Sequence, residues 1–224
     1  MFVLYFDLNY YKWASTLIES IQIFEPEEKI YIEATNLTKG RLDKLRKMDN
    51  VVEVVQREDK FDPDKADLFR SQMVSRRPII LTEAMVKYPD ELLFFIMDID
   101  MILIRSLDKL KKLMIECDMA VMKFSTIKVD GRFMAAKPTQ EVKQFLEEWR
   151  ELLWGGKLYH SKDQKTLAKI HNDWARELKF VYVDRSYSDH LFQNESFIWN
   201  ACTTKFGSKD KGLTVFKEKL DERR

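Results

Sequence analysis

Residues 92–104 read LLFFIMDIDMILI, an apolar run that two aspartates, Asp98 and Asp100, interrupt. A short apolar run with aromatic residues is typical of a strand that is buried on both faces, as in a parallel sheet. Because side chains alternate along an extended chain, we expect the two carboxylates to point to the same side, where they repel each other and lose hydration. A divalent cation carrying a ligand diphosphate would compensate both effects. The simpler alternative is that both acids turn into solvent at the strand end.

The chain before this stretch alternates predicted strands and helices. Strands are predicted at residues 1–6, 29–34 and 51–55. The helix between the first two strands has Trp13, Leu17 and Ile21 at helical spacing on one face, and Thr38 caps the next helix. This β-α-β-α-β order predicts an α/β fold with a mostly parallel central sheet and helices on both faces.

The chain after this region continues the same pattern. Pro78 suits the first turn of a helix that runs to about Lys87. Further helices are predicted after Ser106, after Thr139 and, as a short one, from Ser161, and further strands at residues 119–124, 180–183 and 197–199. The charged tail, about residues 215–224, is expected to be solvated and frayed. We expect a single domain over residues 1–224.

Composition narrows the classes of function. The 224 residues include 38 Lys and Arg against 37 Asp and Glu, so overall charge gives no indication of nucleic-acid or membrane-surface binding. Two cysteines make a disulfide framework implausible and fit a reducing compartment. No apolar stretch approaches the roughly 18–20 residues that span a bilayer, and the opening residues read as a strand. A soluble cytoplasmic protein is therefore expected, while its oligomeric state stays open.

Two residues near the end of the first strand are candidates for binding a nucleotide. Ligands in open α/β sheets bind beyond the carboxyl ends of strands, and Asp7 stands at such an end. Tyr10 fits the apolar face of the following helix, whereas Tyr11 lies off that face. Tyr11 is therefore the better candidate for stacking on a base, although tyrosines at helical spacing are more often part of the core.

Two adjacent arginines, Arg76 and Arg77, precede the acidic strand. Guanidinium groups bind diphosphates through paired hydrogen bonds, so both could hold a charged donor. Adjacent surface arginines are equally often only solvated, and both interpretations stay open.

The pair Asp163-Gln164 also has two interpretations. Ser161-Lys162-Asp163-Gln164 matches a capping box, in which Gln164 bonds back to the Ser161 amide and Asp163 favours the helix dipole. On periodicity alone the cap is favoured.

His160, His171 and His190 are scattered without metal-ligand spacing, and the sequence has neither a glycine-rich phosphate loop nor a nucleophile elbow.

The residues around the acidic pair resemble the central block of GT-A-fold glycosyltransferases, whose hallmark is an Asp-x-Asp motif at a strand end. The resemblance is carried by Arg77-Pro78, by residues 94–100 and by the capped helix at Ser106. The resemblance extends to the opening residues 5–10 and to residues 131–139, which precede a Trp-containing helix. It also includes Asp163-Gln164, because glycosyltransferase family 8 and related nucleotide-diphospho-sugar transferases carry an Asp-Gln pair at this place. It covers roughly residues 1–205.

This resemblance implies a transferase that uses a nucleotide-diphosphate sugar and Mn²⁺ or Mg²⁺. Asp98 would contact the ribose or the metal, and Asp100 would bind the metal that bridges the diphosphate. Asp163 would bind the donor sugar, and Gln164 would lie near the anomeric carbon. The acceptor would be a glycan, a lipid or a protein, and no nucleic-acid partner is implied.

The chain departs from family 8 near its C-terminus. Family members usually place a third metal ligand in a His-x-x-Gly-x-Lys segment, whereas residues 200–205 here read NACTTK. An Asn200 oxygen could still bind a hard cation, and Lys205 could still meet the diphosphate. The chain is also short for the group, which fits either a minimal enzyme or a degenerate one.

Three alternatives to a glycosyltransferase follow from these residues. A phosphatase of the haloacid-dehalogenase type also has Asp-x-Asp after an apolar strand, although that motif normally lies near the N-terminus. A non-catalytic relative could bind a nucleotide sugar or a protein partner without turnover. A nucleotidyltransferase with a similar fold is the third.

Overall fold

A computed structural model describes residues 1–58, 66–123, 129–154, 162–201 and 209–223, without the side chains of residues 66–75, 154, 162, 163, 209 and 210. The strands are β1 (Phe2–Asp7), β2 (Ile30–Thr35), β3 (Val51–Arg57), β4 (Phe94–Met97), β5 (Met101–Leu103), β6 (Met119–Lys123), β7 (Val129–Ala136), β8 (Phe180–Val183) and β9 (Ile198–Asn200). The helices are α1 (Tyr11–Phe24), α2 (Lys39–Leu45), α3 (Ala66–Lys87), α4 (Asp108–Leu113), α5 (Gln140–Trp154), α6 (Lys162–Trp174) and α7 (Lys209–Asp221).

Seven strands form the central sheet in the order β3-β2-β1-β4-β7-β6-β8. The pairs β1–β2, β1–β4, β2–β3 and β6–β8 are parallel, whereas β7 runs antiparallel to both β4 and β6. The mostly parallel sheet predicted from the sequence is confirmed. The antiparallel strand β7 was not predicted, and it brings its first residues to the same edge of the sheet as the carboxyl ends of β1, β4 and β8.

Apolar clusters cover both faces of this sheet. On one face, Leu17 and Ile18 of α1 pack with Phe6 of β1 and with neighbouring strands. On the other face, residues of α3, α5 and α6, such as Leu81 and Trp149, pack on the alternate side chains of the same strands. The predicted arrangement of helices on both faces is therefore confirmed. Among the helices of the described residues, none has the length and apolarity needed to cross a membrane.

The acidic stretch is two strands and not one. After β4 the chain turns at Asp98–Asp100, where the Met101 amide donates to the Asp98 carbonyl (3.2 Å), and β5 then leaves the central sheet to pair with β9. The expectation that strand alternation sets the direction of both carboxylates was wrong. Aspartates are favoured in turns because their short side chains bond to nearby backbone groups.

Helix α3 begins earlier than Pro78, which was predicted to be its first turn. The helix runs over 22 residues with Pro78 inside it. An internal proline removes one backbone hydrogen bond and crowds the preceding turn. Burial of Ile80, Leu81 and Ala84 against the sheet compensates for this loss, as do the ion pairs of Arg76 and Arg77 immediately before the proline.

The charged tail is also ordered where the sequence predicted fraying. Most of it belongs to α7, whose Leu213, Phe216 and Leu220 are buried against α1, β5 and β9. The Phe216 ring packs edge-to-face on Trp13, with the ring centroids 5.7 Å apart. The spacing of these three residues, with their high local charge, is that of an amphipathic helix.

Candidate active site

Acidic side chains gather at the carboxyl edge of the central sheet. Asp98 follows β4, Asp130 lies at the start of β7, and Asp100 lies in the turn between β4 and β5. The negative charges of Asp100 and Asp130 are both close enough to affect the ionisation of Asp98. We call Asp98, Asp100 and Asp130 the carboxylate cluster.

Asp98 is fixed by its backbone and by one arginine. Its amide donates to the Arg132 carbonyl (2.7 Å), and its carboxylate accepts from Nη2 of Arg77. The Arg77 side chain is 6% exposed and that of Asp98 is 23% exposed. A Cβ on Gly131 would lie 3.5 Å from Nη1 of Arg77, an ordinary van der Waals contact, so Gly131 packs directly beside the guanidinium group.

The surroundings of Asp98 disfavour its charged form despite this arginine. Burial, together with the negative charges of Asp100 and Asp130, raises the pKa of Asp98 to about 6, although Arg77 acts in the opposite direction. Among the described residues, the three carboxylates of the cluster also outnumber the two guanidinium groups that pair with them, those of Arg77 and Arg132. An added cation would relieve this excess.

A chain of polar contacts extends from Asp130. Its carboxylate accepts from the Arg132 amide (2.8 Å) and from Nε and Nη2 of Arg132 (2.8 Å each). It also accepts from Nε2 of Gln164 (3.4 Å). On its other side Nη1 of Arg132 lies 3.1 Å from Nε2 of His190. Asp130 thus joins the predicted catalytic residue Gln164 to His190 through Arg132.

This contact fixes the tautomer of His190. An arginine can only donate, so Nε2 of His190 accepts and the neutral ring carries its proton on Nδ1. Burial lowers the pKa of His190, and the charge of Arg132 lowers it further, so the ring is neutral near pH 7. The Nδ1 atom is buried, and a hydrogen bond between the ring and the backbone of Asn200 acts on the pKa of His190 in the opposite direction.

The predicted metal ligand Asn200 lies beside Asp100. Strand β9 pairs with β5 so that Asn200 stands opposite Met101, and the Ala201 amide donates to the Asp100 carbonyl (2.9 Å). The Asn200 side chain is buried, and its Nδ2 donates to Oγ of Ser188 (3.1 Å). Its role as a ligand stays a prediction.

Arg76 does not join the carboxylate cluster. Its Nε and Nη2 donate to the buried carboxylate of Glu33 (2.8 and 2.6 Å), which also accepts from Nε of Arg57. Glu83 lies within 3.5 Å of both arginines. We call Glu33, Glu83, Arg57 and Arg76 the α3–β2 network. These contacts explain Arg76 as a structural residue and give no support to the predicted diphosphate contact.

The predicted nucleotide-binding residues lie after β1. The Asp7 carboxylate accepts from the amides of Asn9 (2.9 Å) and Tyr10 (3.3 Å), so it caps the turn that leads into α1. The Arg41 guanidinium lies 4.9 Å from the centroid of the Tyr11 ring. Tyr11 is also partly buried against the core of the sheet, so its stacking on a base stays a prediction.

Two predicted residues fall where the structure gives no side-chain information. Asp163 belongs to the first turn of α6, but its side chain lies outside the described residues, as does all of Lys205. Ser161, the predicted cap, also lies outside them. Among the described residues, no group of three or more His, Cys, Asp or Glu side chains is arranged to hold a metal ion.

A groove of about 830 Å³ opens after β8, next to this site. His190 is part of its wall, so the groove adjoins the contact between His190 and Arg132. Its lining residues are Asp184, Arg185, Ser186, Ser188, Asp189, His190, Leu191, Gln193 and Ser196.

Sequence reasoning missed three residues of this site. Asp130 and Arg132 belong to the unpredicted strand β7, and His190 was interpreted as structural. The apolar run Phe133–Ala136 could have indicated that strand, but nothing in the sequence indicated that its first residues meet Asp98.

Comparisons with known proteins support the fold. No protein-family model matches the sequence, and neither does any curated protein. Among solved structures, the glycosyltransferase GlyE of Streptococcus pneumoniae TIGR4 is similar with a TM-score of 0.65 and 13% identity, over 99% of this chain and 63% of that chain. This chain therefore spans less than two thirds of the length of GlyE.

Two further glycosyltransferases are similar over nearly their whole length. The galactosyltransferase LgtC, in complex with donor and acceptor sugar analogues, has a TM-score of 0.62 and 12% identity, over 99% of this chain and 95% of that chain. A glycosyltransferase involved in the glycosylation of the major capsid of PBCV-1 has a TM-score of 0.53 and 11% identity, over 97% and 98%. The protein has the GT-A-like fold of these glycosyltransferases, which confirms the fold expected from the sequence.

Proposed function

We propose that this protein is a metal-dependent glycosyltransferase that moves a sugar from a nucleotide-diphosphate-sugar donor to an acceptor. The fold is shared with three glycosyltransferases. The observation that carries the proposal is the carboxylate cluster beside Arg77, at the carboxyl edge of the sheet. That edge is where open α/β sheets bind their ligands.

The carboxylate cluster fits a hard divalent cation better than an all-protein metal cage. Mg²⁺ is usually bound by one or two carboxylates together with phosphate oxygens of the substrate. Asp98 and Asp100 would be these carboxylates, Asn200 would add an amide oxygen, and the donor diphosphate would complete the site. When bound, Mn²⁺ or Mg²⁺ would neutralise the charge that develops on the leaving diphosphate.

The remaining predicted residues take roles around this centre. Asp7 and Tyr11 would contact the nucleotide, and Lys205 would meet the diphosphate. Arg77 would bind the diphosphate in place of Asp98 once a cation occupies the cluster. Asp163 and Gln164 would contact the donor sugar, with Gln164 oriented by its bond to Asp130.

The reaction itself is an exchange of one bond at the anomeric carbon. An acceptor hydroxyl oxygen forms a bond to that carbon, and the bond from the carbon to the diphosphate oxygen breaks. The nucleoside diphosphate leaves with the bonding electrons, and the hydroxyl proton passes to water. Fixed dipoles such as the Gln164 amide would support the positive charge that develops on the sugar.

The first test is thermal unfolding with a panel of nucleotide-diphosphate sugars, with and without Mn²⁺. A ligand that binds only the folded state stabilises it by about 2.7 kcal/mol at 100 times its dissociation constant. We expect one donor to raise the Tm only when Mn²⁺ is present, and we expect Asp100→Asn to abolish the shift.

The matched control is Asp90→Asn. Asp90 is exposed in the turn before β4, at the opposite end of that strand, so its substitution makes the same chemical change away from the cluster. Asp90→Asn should keep the full shift. Absence of any shift in the wild-type protein would contradict the proposal, and a shift without donor turnover would identify the non-catalytic relative.

A further inference from the structure

The groove after β8 lies on one side of the carboxylate cluster, and the predicted nucleotide residues lie on the other. Along the edge of the sheet, β1 with Asp7 precedes β4 with Asp98, and β7, β6 and β8 follow. Asp184, the first residue after β8, opens the groove. A donor that extends from Asp7 to Asp98 would therefore leave the groove side of the cluster for a second substrate.

The lining of the groove suits a molecule with both hydroxyl groups and carbon faces. Among the described residues that line the groove, Leu191 is the one aliphatic residue, and three serines, a glutamine, a histidine and three charged residues form the rest. Much of the exposed wall consists of the carbon atoms of these side chains. Pyranose rings have the same composition, with apolar C–H faces edged by hydroxyls. A lipid chain or an apolar peptide would bury the polar groups of the wall without partners, which is costly.

One buried carboxylate holds the loop that forms this wall. Asp189 accepts from the amides of Leu191 (2.7 Å) and Gln193 (2.6 Å) and from Oγ of Ser196 (2.9 Å). Phe192, which lies between Leu191 and Gln193, has a φ of 57°, in the left-handed region. A bulky residue rarely adopts this conformation unless its surroundings impose it. The groove is thus a preformed feature of the fold.

His190 links the groove to the donor side. It forms part of the groove wall, and its Nε2 accepts from Arg132, which Asp130 holds together with Gln164. The side chains of His190, Arg132 and Asp130 therefore connect the groove to Gln164, which is proposed to contact the donor sugar.

From this geometry we infer that the groove binds the acceptor and that the acceptor is a carbohydrate whose hydroxyl receives the sugar. This inference rests on the proposed function and narrows its acceptor from glycan, lipid or protein to glycan.

The experiment measures binding of free disaccharides (lactose, maltose and cellobiose) by saturation-transfer NMR, with Mn²⁺ and the nucleoside diphosphate that stabilises the protein best. The test variant is Arg185→Ala/Gln193→Ala, which removes two exposed groups from the groove wall. The control is Arg176→Ala/Asn194→Ala, which removes an exposed arginine and an exposed amide that do not line the groove. Phosphatidylcholine vesicles and a serine-rich peptide test the other two acceptor classes.

We expect at least one disaccharide to bind the wild-type and control proteins, and binding to be about tenfold weaker in the groove variant because two hydrogen-bonding groups are lost. Equal binding by both variants would overturn the inference, and so would binding of vesicles or peptide without any disaccharide. Failure of the proposed function would be seen separately in the thermal-unfolding experiment, which contains no disaccharide. There it would appear as the absence of a Mn²⁺-dependent rise in Tm with any nucleotide-diphosphate sugar.

Discussion

Adjacent arginines of α3 belong to two ionic groups that differ in their balance of charge. In the α3–β2 network, two carboxylates, Glu33 and Glu83, meet two guanidinium groups, those of Arg57 and Arg76. In the carboxylate cluster, three aspartates meet two guanidinium groups among the described residues, because Arg77 pairs with Asp98 and Arg132 pairs with Asp130. The first group is balanced and the second keeps an excess of negative charge.

This difference in charge balance indicates which of the two adjacent arginines, Arg76 or Arg77, has a structural role. A group whose charges balance around the buried Glu33 has no need of a ligand, and its role is to hold α3 on β2 and β3. A group with an excess of one charge raises the free energy of the folded protein until a counter-charge arrives. We therefore assign the carboxylate cluster to function and the α3–β2 network to stability.

The largest expected effect comes from removing each arginine in turn. Arg77→Met should destabilise the metal-free protein by about 3–4 kcal/mol, because it leaves the partly buried carboxylate of Asp98 without its ion-pair partner. Arg76→Met should cost about 1.5–3 kcal/mol, because Glu33 keeps Arg57. Urea unfolding at pH 7 measures both values.

Adding Mn²⁺ sharpens this comparison. The cation should stabilise Arg77→Met more than it stabilises the wild-type protein, since it also replaces the missing positive charge, and it should stabilise Arg76→Met only as much as the wild type. Equal recovery of both variants would show that the two groups do not differ as we describe.

The second prediction concerns whether the charged form of Asp98 stabilises or destabilises the folded protein. The pKa of Asp98 is raised from 3.8 to about 6, so the folded protein binds its proton more tightly than the unfolded chain does. The stability that this proton contributes is complete below about pH 4 and is lost as the pH rises through 6. Asp98→Asn, which mimics the protonated acid, should therefore stabilise the metal-free protein at pH 7 by about 2–3 kcal/mol.

Urea unfolding of wild-type and Asp98→Asn proteins between pH 4 and pH 7 measures this prediction. The gain should shrink toward zero at pH 4, and Asp98→Asn should bind Mn²⁺ more weakly than the wild-type protein. A variant that is less stable than the wild type at pH 7 would contradict the described excess of charge.

The smallest effect concerns the packing around Arg77. A Cβ at Gly131 would lie 3.1 Å from Cδ2 of Leu167 and 3.5 Å from Nη1 of Arg77, so Gly131→Ala should cost about 1–2 kcal/mol through overpacking. Gly40→Ala is the control, because nothing lies within 4 Å of its added Cβ in α2 and alanine favours a helix by up to about 1 kcal/mol. Thermal unfolding should show opposite signs for the two substitutions.

The fold could be predicted from the sequence where the local pattern and the tertiary structure agree. The alternation of the first three strands with α1 and α2 is an example, since each element buries one regular face. Prediction failed at Pro78, where burial of the following residues outweighs the cost of a proline inside a helix. It failed again at α7, where charged residues hide the spacing of Leu213, Phe216 and Leu220.

The site was predicted only in part for a related reason. Asp98 and Asp100 stand out locally because carboxylates interrupt an apolar run. Arg76 and Arg77 are alike in sequence, and only the three-dimensional neighbours, Glu33 and Asp98, distinguish them. Asp130 and His190 reach the site through the pairing of β7 with β4 and through the loop before β9, which local spacing does not encode.

The central claim is that Asp98 and Asp100 hold a divalent cation that carries the donor diphosphate. Titration of Mn²⁺ followed by its electron paramagnetic resonance signal tests this claim directly, with and without a nucleoside diphosphate. We predict that the nucleoside diphosphate tightens Mn²⁺ binding at least tenfold in the wild-type and Asp90→Asn proteins, and that Asp100→Asn abolishes the effect. Mn²⁺ binding that the nucleoside diphosphate does not change, or that Asp100→Asn retains, would contradict the claim.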